Sequence, residues 1–156
     1  MGILSGFAQG ISEFSYTDDN GVTWGGRIEY DSENYTYTQN VKDVCIKSTS
    51  CNSEEEVVIP GEISYVGKKY TVTSLESVFS ENKIIEKVTI PKTVISLSGT
   101  FSGCSALSEV VNTNQLKSVY NAFCNCSGLK SIDLSSCEIL GSGSFGGCSQ
   151  LENVVL

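Results

Sequence analysis

The sequence predicts an α/β-type repeat solenoid with a parallel sheet, preceded by an N-terminal β-rich cap. Three observations support this fold class: phenylalanines at a spacing of 22 residues, further columns of residues with the same spacing, and a strand-rich stretch before the first repeat. The phenylalanines are Phe79, Phe101, Phe123 and Phe145. A unit of this length cannot bury its own apolar side and must stack on its neighbours, so the repeats form a solenoid.

Columns of equivalent residues run through the four repeat units. Apolar residues stand six and nine positions after each phenylalanine, and eleven positions after it only Asn112 interrupts an apolar column. We expect these columns to fill the interior of the stacked coils. The three columns are Ile85, Leu107, Leu129 and Leu151, then Val88, Val110, Ile132 and Val154, then Ile90, Leu134 and Leu156.

One segment matches the leucine-rich pattern L-x-x-L-x-L-x-x-N/C-x-L at every fixed position. It runs from Leu129 to Ile139, with Cys137 at the N/C position. Its alternation predicts a strand with Ile132 and Leu134 facing inward. Equivalent strands are expected near 87–90, 109–112 and 153–156, paired in parallel as one sheet along one face of the solenoid.

The repeat units resemble a known family. The segments Phe101–Leu107 and Ala122–Leu129, with Pro91 after the first strand, look like BspA-type leucine-rich repeats. The stretch Val57–Leu75 is similar to the lead-in of such arrays, so the resemblance covers roughly residues 57–156. It implies a surface or secreted protein of a bacterium or parasitic protist, of a kind implicated in adhesion and in binding host or microbial proteins.

The chain divides into a cap at residues 1–56 and a solenoid at residues 57–156. The cap region has strand and turn chemistry, and we expect its aromatic residues to form a small capping core rather than a carbohydrate-stacking site. The solenoid begins with a lead-in at 57–78, in which 63–66 and 70–73 predict a hairpin, and its repeats start at Phe79. The cap aromatics are Trp24, Tyr30, Tyr35 and Tyr37.

Composition excludes several classes of function. The 156 residues include no His, which removes Ser/His/Asp catalysis, His general bases and His-ligated zinc, so we expect a protein that is not an enzyme and holds no cofactor or metal. A net charge of −8 disfavours nucleic acid as a partner. No apolar stretch approaches the roughly 18 residues of a membrane span.

The seven cysteines comprise three in one repeat column, one in the leucine-rich pattern and the remaining Cys45, Cys51 and Cys124. Asn82, Cys104, Cys126 and Cys148 share one column, which we interpret as a buried ladder of small side chains that donate to the backbone of a tight turn. Cys137 is expected to be buried as well. Cys45 and Cys51, with polar residues between them, are either a disulfide that closes a small loop or two reduced thiols.

The outward positions of the predicted strands are the candidate partner surface, because solenoids bind through their extended concave side. Opposite charges on neighbouring coils, Lys87 with Glu109 and Lys130 with Glu152, are close enough to pair. The alternative is that these residues only keep a solvated sheet soluble. The columns are Glu86, Ser108, Lys130 and Glu152, then Lys87, Glu109, Ser131 and Asn153, then Thr89, Val111, Asp133 and Val155.

These features lead to one hypothesis and one alternative. The hypothesis is a non-enzymatic protein-binding module of a cell-surface or secreted adhesin-like protein, with the ligand on the strand face. The alternative is a structural module that docks a partner chain, or a second copy, through an open C-terminal coil, because Leu156 lies in a strand without a polar cap. For the same reason we expect the chain to be a fragment of a longer array.

Overall fold

A computed structural model describes residues 13–28, 43–51 and 53–156 of the chain. All regular structure in these residues is β-strand. The strands are β1 (Glu13–Thr17), β2 (Thr23–Ile28), β3 (Asp43–Thr49), β4 (Glu56–Val58), β5 (Glu62–Tyr65), β6 (Lys68–Glu76), β7 (Lys87–Thr89), β8 (Ser96–Ser98), β9 (Glu109–Val111), β10 (Ser118–Tyr120), β11 (Ser131–Asp133), β12 (Ile139–Leu140) and β13 (Asn153–Val155).

The helical part of the predicted fold class is wrong, because the described residues contain no helix. Each coil instead carries its phenylalanine in a compact turn that holds two residues with positive φ, four positions apart. Such left-handed residues cannot continue a right-handed helix. In order along the chain these pairs are Ser77 and Glu81, Gly99 and Gly103, Asn121 and Asn125, and Gly143 and Gly147.

The stacked coils carry two sets of parallel strands, where the sequence predicted one. The predicted strands appear as β7, β9, β11 and β13, with β4 ahead of them. A second set, β6, β8, β10 and β12, pairs in the order of the chain on another side of the coils. Leu75, Leu97 and Val119 stand in register in that second set and are buried.

The second set of strands continues into the N-terminal region. Strand β3 pairs in parallel with β6, and β2 and β1 follow it in antiparallel order. Trp24 on β2 is 1 % exposed and donates its Nε1–H to Asp18. Tyr30, Tyr35 and Tyr37 of the predicted capping core lie outside the described residues.

The predicted hairpin is present as β5 and β6. The two strands pair from Glu62 with Thr71 to Tyr65 with Lys68. Val66 and Gly67 form the connection, and both have positive φ (50° and 72°), as a type I′ turn requires. Tyr65 and Tyr70 are buried, so the hairpin packs one face against the first coil.

Buried columns fill the interior of the coils. The four phenylalanine rings stack on one another, with 5.6 Å between the centroids of each neighbouring pair. Ile132 and Leu134 face inward as predicted, with 4 % and 1 % of their surface exposed. The apolar columns therefore form one continuous core through the solenoid and the hairpin.

Candidate functional site

The predicted binding residues lie on the strand face, which we define as the outward side of β7, β9, β11 and β13 with the residue before each strand. Alternation places their side chains opposite the buried Val88, Val110 and Ile132. Thr89, Lys87 and Val111 are half-buried, and the other members are exposed. The exposed members are Glu86, Ser108, Glu109, Lys130, Ser131, Asp133, Glu152 and Asn153.

Only one of the two predicted ion pairs is present on this face. Lys87 Nζ lies 3.1 Å from Glu109 Oε2, across the paired strands β7 and β9. Lys130 and Glu152 form no ion pair, although both are described residues, and that expectation is corrected. Both precede their strands and are exposed, where an ion pair gains about 0–1 kcal/mol and side-chain entropy opposes it.

The strand face is interrupted between β9 and β11. Strands β4, β7 and β9 form one parallel ladder and β11 and β13 another, so the second and third coils are not joined on this side. The sequence predicts a continuous sheet at this place. The interruption coincides with Asn112, the one polar residue in its column, which has a φ of 64° and donates its side-chain amide to Ile90 O on the preceding coil.

The interruption leaves backbone groups facing each other. Glu109 N–H donates to Glu86 O, and Val111 O accepts from Ile90 N–H, so both groups point to β7. Backbone direction alternates along a strand, and the N–H and C=O of Val110 therefore point to β11. Glu152 N–H donates to Lys130 O between the last two coils. The equivalent bond one coil earlier, from Lys130 N–H to Ser108 O, is absent within the fully described stretch 53–156.

A cleft of about 330 Å³ opens at this interruption. Sequence reasoning did not identify Asn112, Thr113 and Asn114 as surface-site residues, although the polar break in the apolar column at Asn112 marks the place. Val110 and Ile132 are the buried apolar part of the lining. The polar part is Ser108, Glu109, Asn112, Thr113, Asn114, Ser131 and Asp133.

Asp133 is held in place at the rim of the cleft. Its Oδ1 accepts a hydrogen bond from Ser135 N–H at 3.0 Å. This bond and one from the Ser135 side chain stabilise the carboxylate, and they lower the pKa of Asp133 below its ordinary value. The group therefore stays charged at neutral pH and adds a fixed negative charge to the strand face.

The cysteine column lies inside the coils, away from the strand face. Each thiol donates to the carbonyl of the phenylalanine on the preceding coil: Cys104 to Phe79 and Cys126 to Phe101 at 3.0 Å, and Cys148 to Phe123 at 2.9 Å. Burial raises the pKa of Cys104 to about 11 and that of Cys126 to about 12. These thiols therefore remain protonated donors at neutral pH.

Asn82 fills the same column differently. Its Oδ1 accepts from the N–H groups of Ile84 and Ile85 at 2.8 and 2.9 Å, whereas the cysteines donate. Cys137, expected to be buried, is half-buried, and its thiol contacts Ile139 O at 3.4 Å.

Cys45 and Cys51 are both buried, and no disulfide joins them in the structure. The sequence left open a small loop closed by a disulfide between them, but residues as far as Thr49 belong to the extended strand β3. A strand advances about 3.3 Å per residue and carries the chain away from Cys45. A disulfide needs two Cα atoms within about 7 Å.

The described residues show no other type of site. They contain no group of three or more Cys, Asp or Glu side chains that could hold a metal ion. No helix in them is long and apolar enough to cross a membrane.

Comparison with family models agrees with the repeat geometry. Residues 73–156, more than half of the chain, match the BspA type leucine rich repeat region in 6 copies. The chain belongs to this family. No curated protein is similar enough to count as a match.

Solved structures of bacterial leucine-rich repeat proteins share the fold. A protein from Bacteroides capillosus is 25 % identical, with a TM-score of 0.67, over 85 % of this chain and 92 % of that one. A leucine rich cell surface protein from Faecalibacterium prausnitzii is 20 % identical, with a TM-score of 0.63, over 91 % of this chain and 42 % of that one. The pneumococcal vaccine antigen PcpA is 15 % identical, with a TM-score of 0.58, over 90 % of this chain and 37 % of that one.

Proposed function

We propose that this BspA-type chain is a non-enzymatic protein-binding module of a cell-surface or secreted adhesin-like protein, with the partner on the strand face. The observation that carries the proposal is the alignment of exposed polar and charged side chains on successive coils of one face. Such a surface is extended and held by a rigid core, which is how solenoids bind partners. The partner is a host or microbial surface or matrix protein.

The charge pattern of the strand face indicates which charges a complementary partner carries. Lys87 and Lys130 are its only basic residues, among the acidic Glu86, Glu109, Asp133 and Glu152. Glu109 already contacts Lys87, which leaves Lys130 without an ion-pair partner in the described residues. A partner with a basic rim and an acidic residue opposite Lys130 is complementary to this surface.

The family and its relatives support a cell-surface or extracellular location. The similar structures include a protein described as a leucine rich cell surface protein and a vaccine antigen. A binding module with an acidic, polar face suits an extracellular or surface position. Fractionation of the native organism, followed by surface proteolysis and immunodetection, tests this part of the proposal.

Charge reversal on the strand face tests the binding role. The double variant Lys87→Glu and Lys130→Glu is compared with Lys92→Glu, an exposed lysine outside the strands, against immobilised purified matrix and cell-surface proteins. We expect weaker binding for the double variant at low salt and unchanged binding for the control. Equal binding by the double variant, the control and the unmodified chain would place the partner surface elsewhere.

Exposed apolar residues on the last coil favour a second candidate function, assembly through that edge. Leu140, Val155 and Leu156 are 43 %, 44 % and 76 % exposed. An apolar strand edge of this kind pairs with another chain. Light scattering over a range of concentrations tests the idea: a dimer that Leu140→Glu dissociates supports assembly, and a monomer at all concentrations contradicts it.

A further inference from the structure

We propose that the cleft between β9 and β11 binds a neutral, polyhydroxylated small ligand such as a saccharide unit. This goes beyond the proposed protein-binding role, because it concerns a small-molecule site within the strand face. It rests on the backbone groups that the interruption leaves open, on the width of the cleft and on one side-chain hydroxyl in its lining.

The open backbone groups supply both donors and acceptors. Val110 presents its N–H and C=O to the cleft from β9, by the alternation established above. On β11, Lys130 O and Leu134 N–H are bonded to the last coil, so alternation turns the N–H and C=O of Ser131 and Asp133 toward the cleft. Backbone groups beside a buried residue such as Val110 need partners, and a bound hydroxyl group can serve as both donor and acceptor.

The mixed chemistry of the cleft argues against ions. A cation needs acceptors alone, whereas backbone N–H groups also point into this space. An anion needs donors alone, and Glu109 and Asp133 on the lining repel it. Asn112 and Asn114 add amide groups that donate and accept, so a neutral ligand rich in hydroxyl groups matches the lining.

The width of the cleft argues against a peptide strand. Cα atoms of β9 and β11 still approach within 8 Å of each other. Inserting a strand between them requires two ladder spacings, or about 9.6 Å. The volume of about 330 Å³ lies at the lower end of the range for small-molecule sites.

Thr113 provides an independent indication. Thr113 is 4 % exposed and lines the cleft, and its hydroxyl, which keeps access to solvent, makes no hydrogen bond within the described residues. The other buried threonine, Thr100, does bond, through Oγ1 to Leu75 O at 2.8 Å. A hydroxyl that is open to the cleft and has no partner in the protein can donate to or accept from a ligand hydroxyl.

The experiment is a titration of the ¹⁵N-labelled chain with methyl glucoside, methyl galactoside and N-acetylglucosamine, each at millimolar concentrations. We expect at least one sugar to shift the amide resonances of Val110, Ser131 and Asp133, while Val88 stays unchanged. Glucosamine-6-phosphate and calcium chloride are the ionic comparisons. The proposal fails if no sugar shifts these resonances, or if only calcium does.

Two variants separate binding from folding. Thr113→Val removes the hydroxyl at constant shape and is expected to weaken sugar binding about tenfold at unchanged melting temperature. Thr93→Val, at an exposed threonine outside both the cleft and the strand face, is the control and should bind like the original chain. Binding unaffected by Thr113→Val would overturn the assignment of Thr113 and the site with it.

The source of the sugar is distinguished by a second pair of probes. The free methyl glycoside is compared with the same sugar displayed on serum albumin. Binding of both probes identifies a site that takes the terminal unit of a glycan, and binding of the free glycoside alone identifies a site for free sugars. Thr113→Val leaves every charged residue of the strand face in place, whereas reversal of Lys87 and Lys130 tests the protein-binding role, so the two proposals can fail separately.

Discussion

Two sides of the coils follow the 22-residue repeat to different degrees. The turn side carries the phenylalanine turns, and the strand side carries the strand face. On the turn side, three ring-to-ring contacts and three thiol-to-carbonyl bonds recur at nearly constant distance from Phe79 to Cys148. On the strand side the ladder stops after β9 and begins again at β11. The turn side therefore holds the coils together, and the strand side is free to vary.

The largest effect should come from the phenylalanine stack. Phe101 is fully buried between the rings of Phe79 and Phe123, so Phe101→Ala is expected to cost about 3–5 kcal/mol of unfolding free energy. Val110→Ala beside the cleft removes less buried surface and should cost about 1.5 kcal/mol. Urea denaturation of both variants measures the difference. Equal losses would mean that the two sides contribute alike.

A smaller effect distinguishes the two buried threonines. Thr100→Val breaks the buried bond to Leu75 O, at a cost of about 1 kcal/mol. Thr113→Val breaks no bond within the described residues and should change stability by well under 1 kcal/mol. Thermal unfolding of the matched pair measures both values, and a Thr113→Val loss as large as that of Thr100→Val would contradict the comparison.

The last effect concerns the thiol ladder and is absent at neutral pH, because it develops only at alkaline pH. Burial raises the pKa of Cys126 from 9.0 to about 12, so this thiol stays protonated in the folded chain while it ionises in the unfolded one. Its contribution to stability is complete below pH 9 and is lost as the pH rises toward 12, by up to about 1.4 kcal/mol per pH unit. Cys126→Ala should lose stability less steeply in this range. Identical slopes would show that Cys126 is not shielded.

Sequence reasoning predicted the parts of the fold where one residue type repeats in one environment. The phenylalanine column, the inward Ile132 and Leu134 and the hairpin at Gly67 follow from periodicity and turn chemistry. The second set of strands was missed because its members are two or three residues long outside β6, and its columns fade at Glu138 and Gly141. Such short strands owe their shape to their neighbours rather than to their own sequence.

The candidate site was predictable only in part. Alternation placed Lys87 and Glu109 on one face, and they form the expected ion pair. The cleft depends on the course of the backbone at Asn112. The polar residue in an apolar column marks this position in the sequence, but it does not predict the direction in which the backbone turns. The absence of helices from the part of the chain that the structure describes likewise follows from left-handed residues in the turns, some of which are Ser77 and Glu81 rather than glycine.

The phenylalanine rings form one unbroken column through four coils. Equivalent ring centroids on successive coils are 5.6 Å apart, and the planes of neighbouring rings are within 17° of parallel. Each inner ring therefore serves as the packing surface for the ring of the coil before it and of the coil after it. A smaller side chain at one inner position would remove both of these contacts at once and would leave a gap between two coils rather than within one.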